Sequence, residues 1–548
     1  MIANKKSLLA LSVASALMLS GCFSDDDNNV TVTPPPPEPT DPVVVAPEKP
    51  EAISFLVSAA VVASDDYGSG DDAIEAGDAI NATVHFFENG EASTNILNED
   101  GEAVTSIETG EEGSFAFRLK DDADIDSVTV AVMADGYFSK SFNVDFSLAG
   151  DESVLNVQLP LVSKLVDDVA EASETVAAAD GTTTEAVAAS ANADDTALAT
   201  ATLAAGTTLK DADGEIVAGD NLQLNVTGAK AGSRNAISIV PEGLNSGDSQ
   251  TVKSPVSVSD VTLTLGERKV KQFEGGTLNV AMAAPEGTTS ADDLTVSSYD
   301  EDKATWTDED FDVSFTDGKL TFDTDHLTFF AINKQSAVCT DGMTIDASGG
   351  DTTNGPLFVS MFTNDFAFFG MPLTVFEQGL PAGLISRFGV SDSAEARVFV
   401  TDVEGSVWFD SSTVDSANTL GEIGVCGSID TPLTAPYTSI DKTLELTGVC
   451  AADNDVEVDV TASKIKFKRT GTRKAARNKL AESDGTFLMD NIRDGSDYTV
   501  TVNFRGLQLA DGQSNVIELT DVDSETYSQQ FQFQCDTTTG STGTTGGS

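Results

Sequence analysis

Cysteines are the residues of this chain whose chemistry the sequence constrains most directly. Cys339, Cys426, Cys450 and Cys535 lie in the C-terminal part, whereas Cys22 stands alone near the N-terminus. In an oxidising compartment four cysteines favour two disulfides. We expect Cys339 to pair with Cys426 and Cys450 with Cys535, because the two closed segments would then be nearly equal in length. The alternative, Cys426 with Cys450, would link two neighbouring domains.

The N-terminus has the features of an export signal. Lys5 and Lys6 precede an apolar run, 8–19, which is too short to span a bilayer, and small residues lead from it to Cys22. The sequence Leu-Ser-Gly-Cys at 19–22 resembles the lipobox of bacterial lipoproteins. This resemblance implies cleavage before Cys22, a diacylglyceryl thioether on its sulfur and a further acyl chain such as palmitate.

The residue after the cysteine bears on the membrane in which such a lipoprotein stays. Phe23 stands where lipoproteins retained in the inner membrane commonly carry Asp, so the resemblance favours the outer membrane. The acidic residues at 25–27 weaken that preference. Two or three acyl chains hold a protein at a membrane without a transmembrane helix. We therefore expect a lipid-anchored outer-membrane protein, with the face of that membrane left open.

One acidic segment offers oxygen ligands for a hard cation. Asp211, Asp213, Glu215 and Asp220 could present carboxylates to Ca²⁺ from a loop. Their spacing departs from the EF-hand loop, and an Asp-Gly pair between alternating segments is also typical of a hairpin turn. The turn is the favoured interpretation, and we expect no other cofactor.

Catalytic groups are sparse in this sequence. His85 and His326 are the only histidines, neither has a plausible nucleophile nearby in sequence, and no Gly-x-Ser-x-Gly elbow occurs. With 89 acidic residues, some pair of carboxylates will always have a hydrolytic spacing, so such pairs carry no information. We expect the chain not to be an enzyme; the alternative is an envelope hydrolase that uses carboxylates.

A basic stretch interrupts the acidic background. It begins with Lys464, Lys466, Lys468 and Arg469 and continues to Lys479. Alternation with apolar residues indicates a strand with its charges on one face. Such a strand is either a solvated edge that blocks strand pairing or meets the protein's own carboxylates, or a docking surface for anionic headgroups, lipopolysaccharide phosphates or an acidic partner.

An apolar stretch, 357–388, is rich in phenylalanine and includes Phe366, Phe368 and Phe369. Buried strands of a sandwich would explain this composition. A contact surface for a partner or an apolar ligand is the alternative, because the glycines and prolines among these residues interrupt regular strands.

The overall charge limits the class of partner. The chain has 89 acidic and 30 basic residues and a formal net charge of −59, which argues against nucleic acid. A carboxylate-rich surface stays hydrated in salt-rich water, where screening weakens self-repulsion. Besides the membrane reached through the lipid, an envelope protein, a polysaccharide or an apolar ligand remain as partners.

Period-two alternation with Gly and Asp/Asn turns predicts an all-β fold, a string of transthyretin-like or Ig-like β-sandwich domains on a disordered N-terminal tether. The Pro- and Asp-rich composition of the tether favours an extended chain. An Ala-rich segment with helical spacing predicts a helix or a linker. The expected division is a signal peptide at 1–21, the lipidated cysteine and tether at 22–50, a β-sandwich at 51–164, the Ala-rich segment at 165–200, a β-sandwich at 201–335, a disulfide-closed β domain at 336–430, a β-sandwich at 440–536 and a disordered tail at 537–548.

The first and last of these sandwiches share a pattern. A Gly-x-Phe strand at 113–117 is followed by alternating valines at 128–132 and a Gly-Tyr pair at 136–137, and the same order recurs at 485–506, without the final aromatic residue. This pattern resembles carboxypeptidase regulatory-like domains, which are small transthyretin-like β-sandwiches. The resemblance implies an accessory domain without catalytic residues of its own.

These expectations together favour a non-catalytic lipoprotein of the cell envelope that serves in adhesion, scaffolding or ligand capture at the outer membrane. Besides the hydrolase, an accessory lipoprotein that assists uptake of an apolar ligand is an alternative.

Overall fold

Strands form nearly all of the regular structure, as the period-two alternation predicts. The computed structural model describes residues 43–538, apart from 65, 67–73, 151, 246–249, 267, 292, 350–355, 363–366, 415–422 and 483–484. The all-β fold class is confirmed. Within the unit Val44–Asp536, four hydrophobic cores follow one another along the chain and define domains 1 to 4. In this described part, no helix is long and apolar enough to cross a membrane.

Domain 1 is a sandwich of two sheets. Its first long strand and its last strand pair in parallel, with Leu56 opposite Val154. One sheet has the order β10-β2-β7-β5 and the other β4-β3-β8-β9, with β6 beside β3. The strands are β1 (Val43–Val45), which precedes the domain, β2 (Leu56–Ala63), β3 (Thr83–Glu88), β4 (Glu91–Ala92), β5 (Ile96–Leu97), β6 (Ser106–Glu108), β7 (Ser114–Leu119), β8 (Ser127–Met133), β9 (Lys140–Asp145) and β10 (Val154–Leu161), with a 3-10 helix at Phe146–Ala149.

Domain 2 packs the sheet β11-β15-β16-β24-β20-β21 against the sheet β12-β13-β19-β23-β22. Small strands β14 and β18 pair beside them, and β17 extends β16. The elements are β11 (Val169–Ala178), β12 (Val187–Ala193), β13 (Thr196–Leu203), β14 (Thr208–Lys210), β15 (Gly219–Ala229), α1 (Arg234–Ser238), β16 (Thr251–Leu265), β17 (Arg268–Val270), β18 (Gln272–Glu274), β19 (Leu278–Ala283), β20 (Leu294–Asp300), β21 (Thr305–Glu309), β22 (Ser314–Thr316), β23 (Lys319–Thr324) and β24 (Phe329–Ala337).

The expected helix or linker at 165–200 is wrong, because β11, β12 and the start of β13 occupy that segment. Its alanines are core residues: Ala189, Ala191 and Ala199 are fully buried between the sheets. A Cβ added at Gly228 would lie 2.6 Å from the Cβ of Ala199, so the two sheets approach closely here. Small side chains permit this approach, and tertiary packing overrides the helix propensity of alanine.

Domain 3 contains the sheet β27-β26-β28-β29, with β30 beside β28, and a parallel pair, β25 and β31. The disulfide Cys339–Cys426 closes this domain, with the two Cα atoms 5.7 Å apart. The elements are β25 (Met343–Ser348), β26 (Leu357–Phe362), β27 (Ala367–Pro372), α2 (Leu373–Glu377), α3 (Ala382–Ser386), β28 (Glu395–Asp402), β29 (Val407–Asp410), α4 (Ser411–Val414), β30 (Ile423–Gly424) and β31 (Gly427–Pro432).

Domain 4 repeats the strand order of domain 1. Its first strand pairs in parallel with its last, Leu444 opposite Tyr527, and antiparallel with β36, while the second sheet runs β35-β34-β37-β38. The disulfide Cys450–Cys535 closes it. The strands are β32 (Ser439–Cys450), β33 (Asp453–Val458), β34 (Lys464–Arg469), β35 (Arg477–Leu480), β36 (Phe487–Arg493), β37 (Tyr498–Asn503), β38 (Val516–Leu519) and β39 (Tyr527–Phe533), followed by β40 (Asp536–Thr538).

Both expected disulfides are confirmed, and the alternative Cys426–Cys450 pairing is excluded. Domain 1 contacts each of the other three domains. The Lys140 ammonium donates to the Ser238 carbonyl of domain 2 at 2.8 Å, and the Arg387 guanidinium of domain 3 lies 3.2 Å from the Asp145 carboxylate. Lys474 of domain 4 pairs with Asp78 at 2.8 Å. The domains are therefore packed side by side rather than only linked along the chain.

Candidate functional site

A cleft with a mixed polar and apolar lining lies between domains 1 and 2. Its volume is about 470 Å³ and it opens to solvent on one side. Strands β3, β8 and β9 of domain 1 form one wall, and the outer face of the sheet β11-β15-β16-β24-β20-β21 forms the other. Clefts of this size at domain interfaces are common ligand sites.

A row of side chains crosses the domain 2 wall from strand to strand. Antiparallel pairing places each member directly opposite the next, so all of them point to the same face of the sheet. The row consists of Glu171, Thr227, Asp260, Phe329, Tyr299 and Trp306. One half of the row is polar and the other half is aromatic.

The aromatic half is where domain 1 is attached. Phe138 and Val162 of domain 1 pack with Tyr299 and Phe329 in a shared buried cluster. The rings of Tyr299 and Trp306 lie 5.2 Å apart. The Trp306 indole N–H donates to the Pro241 carbonyl at 3.2 Å, so a buried polar atom is satisfied within the apolar contact. This contact fixes the cleft walls relative to each other.

The polar half is left open, and Asp260 lies at its centre. The residue is half-buried, yet its Oδ1 is shielded from solvent and has no hydrogen-bond partner among the described residues. Burial, followed by the negative charge of Glu301, raises the pKa of Asp260 to about 7, against the opposing effect of Lys269. A partly exposed carboxyl group with a raised pKa that lines a cleft is a candidate ligand-binding group.

The other charges around the cleft are already paired. Lys164 lies 2.9 Å from Glu171, and Lys269 lies 3.5 Å from Glu301. Asp302 pairs with Lys271 at 2.7 Å; burial opposes the lowering of its pKa, but the Lys271 hydrogen bond and charge outweigh it. The rim therefore presents donors and acceptors side by side with little net charge.

A buried charge pair lies behind the cleft. Burial lowers the pKa of Lys140 to about 8, while the carboxylate of Glu242 acts in the opposite direction. Burial also raises the pKa of Glu242, which accepts a hydrogen bond from the Asn143 amide at 2.8 Å. The hydrogen bonds from Lys140 to the Ser238 carbonyl and from the Asn143 amide to Glu242 join domain 1 to domain 2 here.

The basic stretch that the sequence singles out lies elsewhere, in the contact between domains 1 and 4. Lys464 is only 2 % exposed and pairs with Glu99 at 2.5 Å, so it is not available as a docking residue. Lys466 and Lys468 both pair with Glu112, the latter at 3.2 Å. Burial alone would raise the pKa of Glu112, but the two lysines outweigh it and lower that pKa.

Other basic residues of this stretch also pair with carboxylates of the chain. Arg469 lies 3.1 Å from Glu404 of domain 3, and Lys474 pairs with Asp78. Lys479 pairs with Asp490 at 2.7 Å within domain 4. These residues of the stretch thus meet the protein's own carboxylates, as in the first of the two interpretations, while docking on an anion by the partly exposed Lys466 and Lys468 stays a prediction.

The apolar stretch 357–388 supplies the core of domain 3. Phe368 is 1 % exposed and stacks on Phe376 with the ring centroids 5.7 Å apart. The contact-surface interpretation is therefore wrong for Phe368, because a side chain sealed in a core reaches no partner. Phe366 lies outside the described residues; Phe369 lies in β27, and its side chain is not among those described.

The acidic segment 211–220 forms a turn. Asp211 accepts hydrogen bonds from the backbone amides of Asp213 and Glu215 at 3.2 and 2.9 Å and forms an ion pair with Arg268 at 2.6 Å. Asp220 lies in β15, beyond the turn. Within the described ranges, no three His, Cys, Asp or Glu side chains come together as a metal site. The favoured turn interpretation accounts for the contacts of Asp211.

The two histidines lie in different settings. His85 lines the cleft. His326 has its Nδ1 3.2 Å from the Thr324 hydroxyl and its Nε2 3.5 Å from Glu309. Thr324 is 2 % exposed, so this hydroxyl is sealed from any substrate and the three groups form a local structural network. Cys22 lies outside the described residues.

Sequence reasoning missed the cleft entirely. The row of side chains on its domain 2 wall depends on strand register across six strands, which brings together residues from 171 to 329. One local signal exists: Asp260 is a charged residue in the middle of the long strand Thr251–Leu265, between Val258 and Val261. A carboxylate in that position either faces solvent or has a specific use.

Comparisons with known proteins give the following picture. No protein-family model matches the chain, and no curated protein matches its sequence. Among solved structures, the minor pilin of Streptococcus agalactiae matches at 10% identity and a TM-score of 0.16, covering 34% of this chain and 84% of the pilin. The major pilin subunit BcpA of Bacillus cereus matches at 10% identity and a TM-score of 0.14, covering 88% and 99%.

A third match is the full-length major pilin SpaD of Corynebacterium diphtheriae, at 9% identity and a TM-score of 0.15, covering 88% of this chain and 98% of SpaD. Similarity at this level adds nothing to the assignment of a function, which therefore rests on the site itself.

Proposed function

We propose that this protein is a lipid-anchored, non-catalytic protein of the cell envelope that captures a ligand in the cleft between domains 1 and 2. The observation that carries the proposal is Asp260, which lines an open cleft of about 470 Å³ and whose carboxyl group has no hydrogen-bond partner at Oδ1 among the described residues. A ligand in the cleft would add hydrogen bonds to a carboxyl group that the described residues leave partly unpaired.

The anchor in this proposal is Cys22. Its lipobox-like context, the signal-like residues before it and the proline-rich segment after it support acylation and attachment to the outer membrane. Replacing Cys22 by Ser should move the protein from the membrane fraction to a detergent-free aqueous extract. Continued membrane attachment of the Cys22→Ser protein would contradict this part of the proposal.

Domains 1 and 4 are proposed to be accessory modules of the carboxypeptidase regulatory-like type. Their common strand order, with the first and last strands parallel, supports two copies of one module. In this proposal they act as a frame: domain 4 braces domain 1 through ion pairs, and domain 1 supplies one wall of the cleft.

The capture role is tested by photo-cross-linking on intact cells. A photo-reactive phenylalanine analogue at Met133, which lines the cleft and is 44% exposed, should capture the ligand. The same analogue at Val516, which is 40% exposed on domain 4, is the matched control. Equal products at both positions, or no product at Met133, would contradict capture in the cleft.

A second candidate function is an envelope hydrolase, favoured by one observation. Burial raises the pKa of Asp260 to about 7, which suits a general acid or base near neutral pH. This candidate predicts release of chromophore from nitrophenyl glycosides or esters by the full chain, and loss of that release in Asp260→Asn. We favour capture because the neighbouring carboxylates Glu171 and Glu301 are held in ion pairs with lysines.

A further inference from the structure

We infer that the ligand of the cleft is a neutral saccharide, bound with its hydroxyl groups on the polar row and its ring faces against the apolar wall. This inference rests on the proposed capture function and names the class of ligand.

Charge balance excludes a strongly charged ligand. Lys164 with Glu171 and Lys269 with Glu301 form ion pairs at the rim, and the charges of Lys140 and Glu242 offset each other electrostatically. An anion entering the cleft would meet these carboxylates, and a cation would meet the lysines. Because neither an anion nor a cation gains net electrostatic attraction over the whole cleft, a neutral ligand is favoured.

Hydrogen-bonding capacity points to hydroxyl groups. A carboxylate only accepts and an ammonium only donates, whereas a hydroxyl does both. Asp260 and Glu301 lie near Lys269, so a ligand group here has acceptors and a donor within the same small space. A polyhydroxylated ring can hydrogen-bond to both kinds of group at once.

The opposite wall is suited to the C–H faces of sugar rings. Phe87 and Met133 of domain 1 line the cleft, and Phe138 and Phe329 lie at its inner end. A cavity of about 470 Å³ falls within the range of small-ligand sites, and its open side lets a longer chain extend into solvent.

The test is calorimetric titration of the full chain carrying Cys22→Ser, a change outside the described residues. The probes are maltotriose, cellotriose and N-acetylated chitotriose, with putrescine as the cationic comparison. We expect at least one trisaccharide to bind at one site and putrescine not to bind. Absence of binding by all three trisaccharides, or binding of putrescine that Asp260→Ala removes, would overturn the inference.

Three variants locate the site. Asp260→Ala should weaken trisaccharide binding about 10-fold or more, since it removes a hydrogen bond to a charged group. Ala131→Trp fills the cleft from strand β8 and should abolish binding. Glu174→Ala, an exposed change on the same strand as Glu171, should leave affinity unchanged. Binding that survives both Asp260→Ala and Ala131→Trp would place the saccharide elsewhere and overturn the inference.

Different experimental results would contradict the saccharide inference and the proposed capture function. Cross-linking from Met133 on cells without any trisaccharide binding would leave capture in place and remove the saccharide. Failure of both measurements would remove capture as well.

Discussion

Domain 1 contacts domain 4 and domain 2 through two surfaces of different chemistry. The contact with domain 4 is ionic: Lys464, Lys466 and Lys474 each find a carboxylate of domain 1. The contact with domain 2 centres on an apolar cluster around Phe138 and Phe329, with the Lys140 hydrogen bond to the Ser238 carbonyl as a polar addition. Beside this cluster, Asp260 keeps an oxygen without a described partner.

The difference shows how a conspicuous sequence feature and a functional one can diverge. Lys464, Lys466 and Lys474 are each matched by a carboxylate of domain 1, so the ionic contact joins two domains. Where an apolar contact covers only half of a sheet face, the other half becomes a cleft. The basic stretch drew attention through composition, whereas the cleft arises from register and shape.

The largest expected effect comes from breaking the apolar contact. Phe329→Ala removes a buried ring from the shared cluster and should lower the free energy of unfolding by about 3–5 kcal/mol. Urea denaturation followed by tryptophan fluorescence measures this, since Trp306 lies 6.1 Å from Phe329. A loss below about 1 kcal/mol would show that the two domains do not depend on this cluster.

Breaking the ionic contact should cost less. Lys474→Met leaves the buried Asp78 without its cation and should destabilise the chain by about 2–3 kcal/mol. Adding Asp78→Asn should restore much of this loss, because the uncompensated charge is then gone. A double variant that is no more stable than Lys474→Met would show that the pair does not act as a unit.

Asp260 in the cleft should make the stability of the folded chain depend on pH. The pKa of Asp260 is about 7 in the folded chain against 3.8 for an ordinary aspartate. At a pH between these two values, the carboxyl group is therefore ionised in the unfolded chain but still protonated in the folded chain. Asp260 therefore destabilises the folded state increasingly as pH rises, and fully above pH of about 7. We expect Asp260→Asn to stabilise by about 2 kcal/mol at high pH and little at low pH, with screening allowed for.

Thermal melts of Asp260→Asn and wild type in buffers on either side of this window provide the measurement. An equal shift in all buffers would mean that Asp260 does not titrate near neutral pH.

The smallest effect is expected at the outer edge of the ionic contact. Lys468→Ala removes one of two cations beside Glu112, both side chains being partly exposed, and should cost less than about 1 kcal/mol. The loss should shrink as salt rises. A larger, salt-independent loss would indicate that this pair is more buried than the geometry shows.

Much of the fold could be read from residue patterns. Alternation predicts the strands, and the spacing of the cysteines predicts both disulfides. The repeated pattern at 113–137 and 485–506 coincides with two domains of the same strand order. The Ala-rich strands β11 and β12 escaped prediction, because only the close approach of two sheets explains their small side chains.

The candidate site could not be read in the same way. Glu171, Thr227 and Asp260 are far apart in sequence and meet only through strand register. The pairing of Lys464 with Glu99 likewise depends on how two distant domains pack, which no local pattern records. Local physics predicts elements, while sites at domain contacts depend on the assembled fold.

The most direct test of the contrast is one thermal-melting series with and without the binding trisaccharide. The series compares three proteins: wild type, the Asp260→Ala variant and a double variant that carries both Lys466→Ala and Lys468→Ala. Our account predicts that the lysine variant melts lower yet keeps the full ligand-induced shift, whereas Asp260→Ala melts no lower than wild type and loses that shift. The reverse pattern, with the shift lost in the lysine variant and kept in Asp260→Ala, would contradict it.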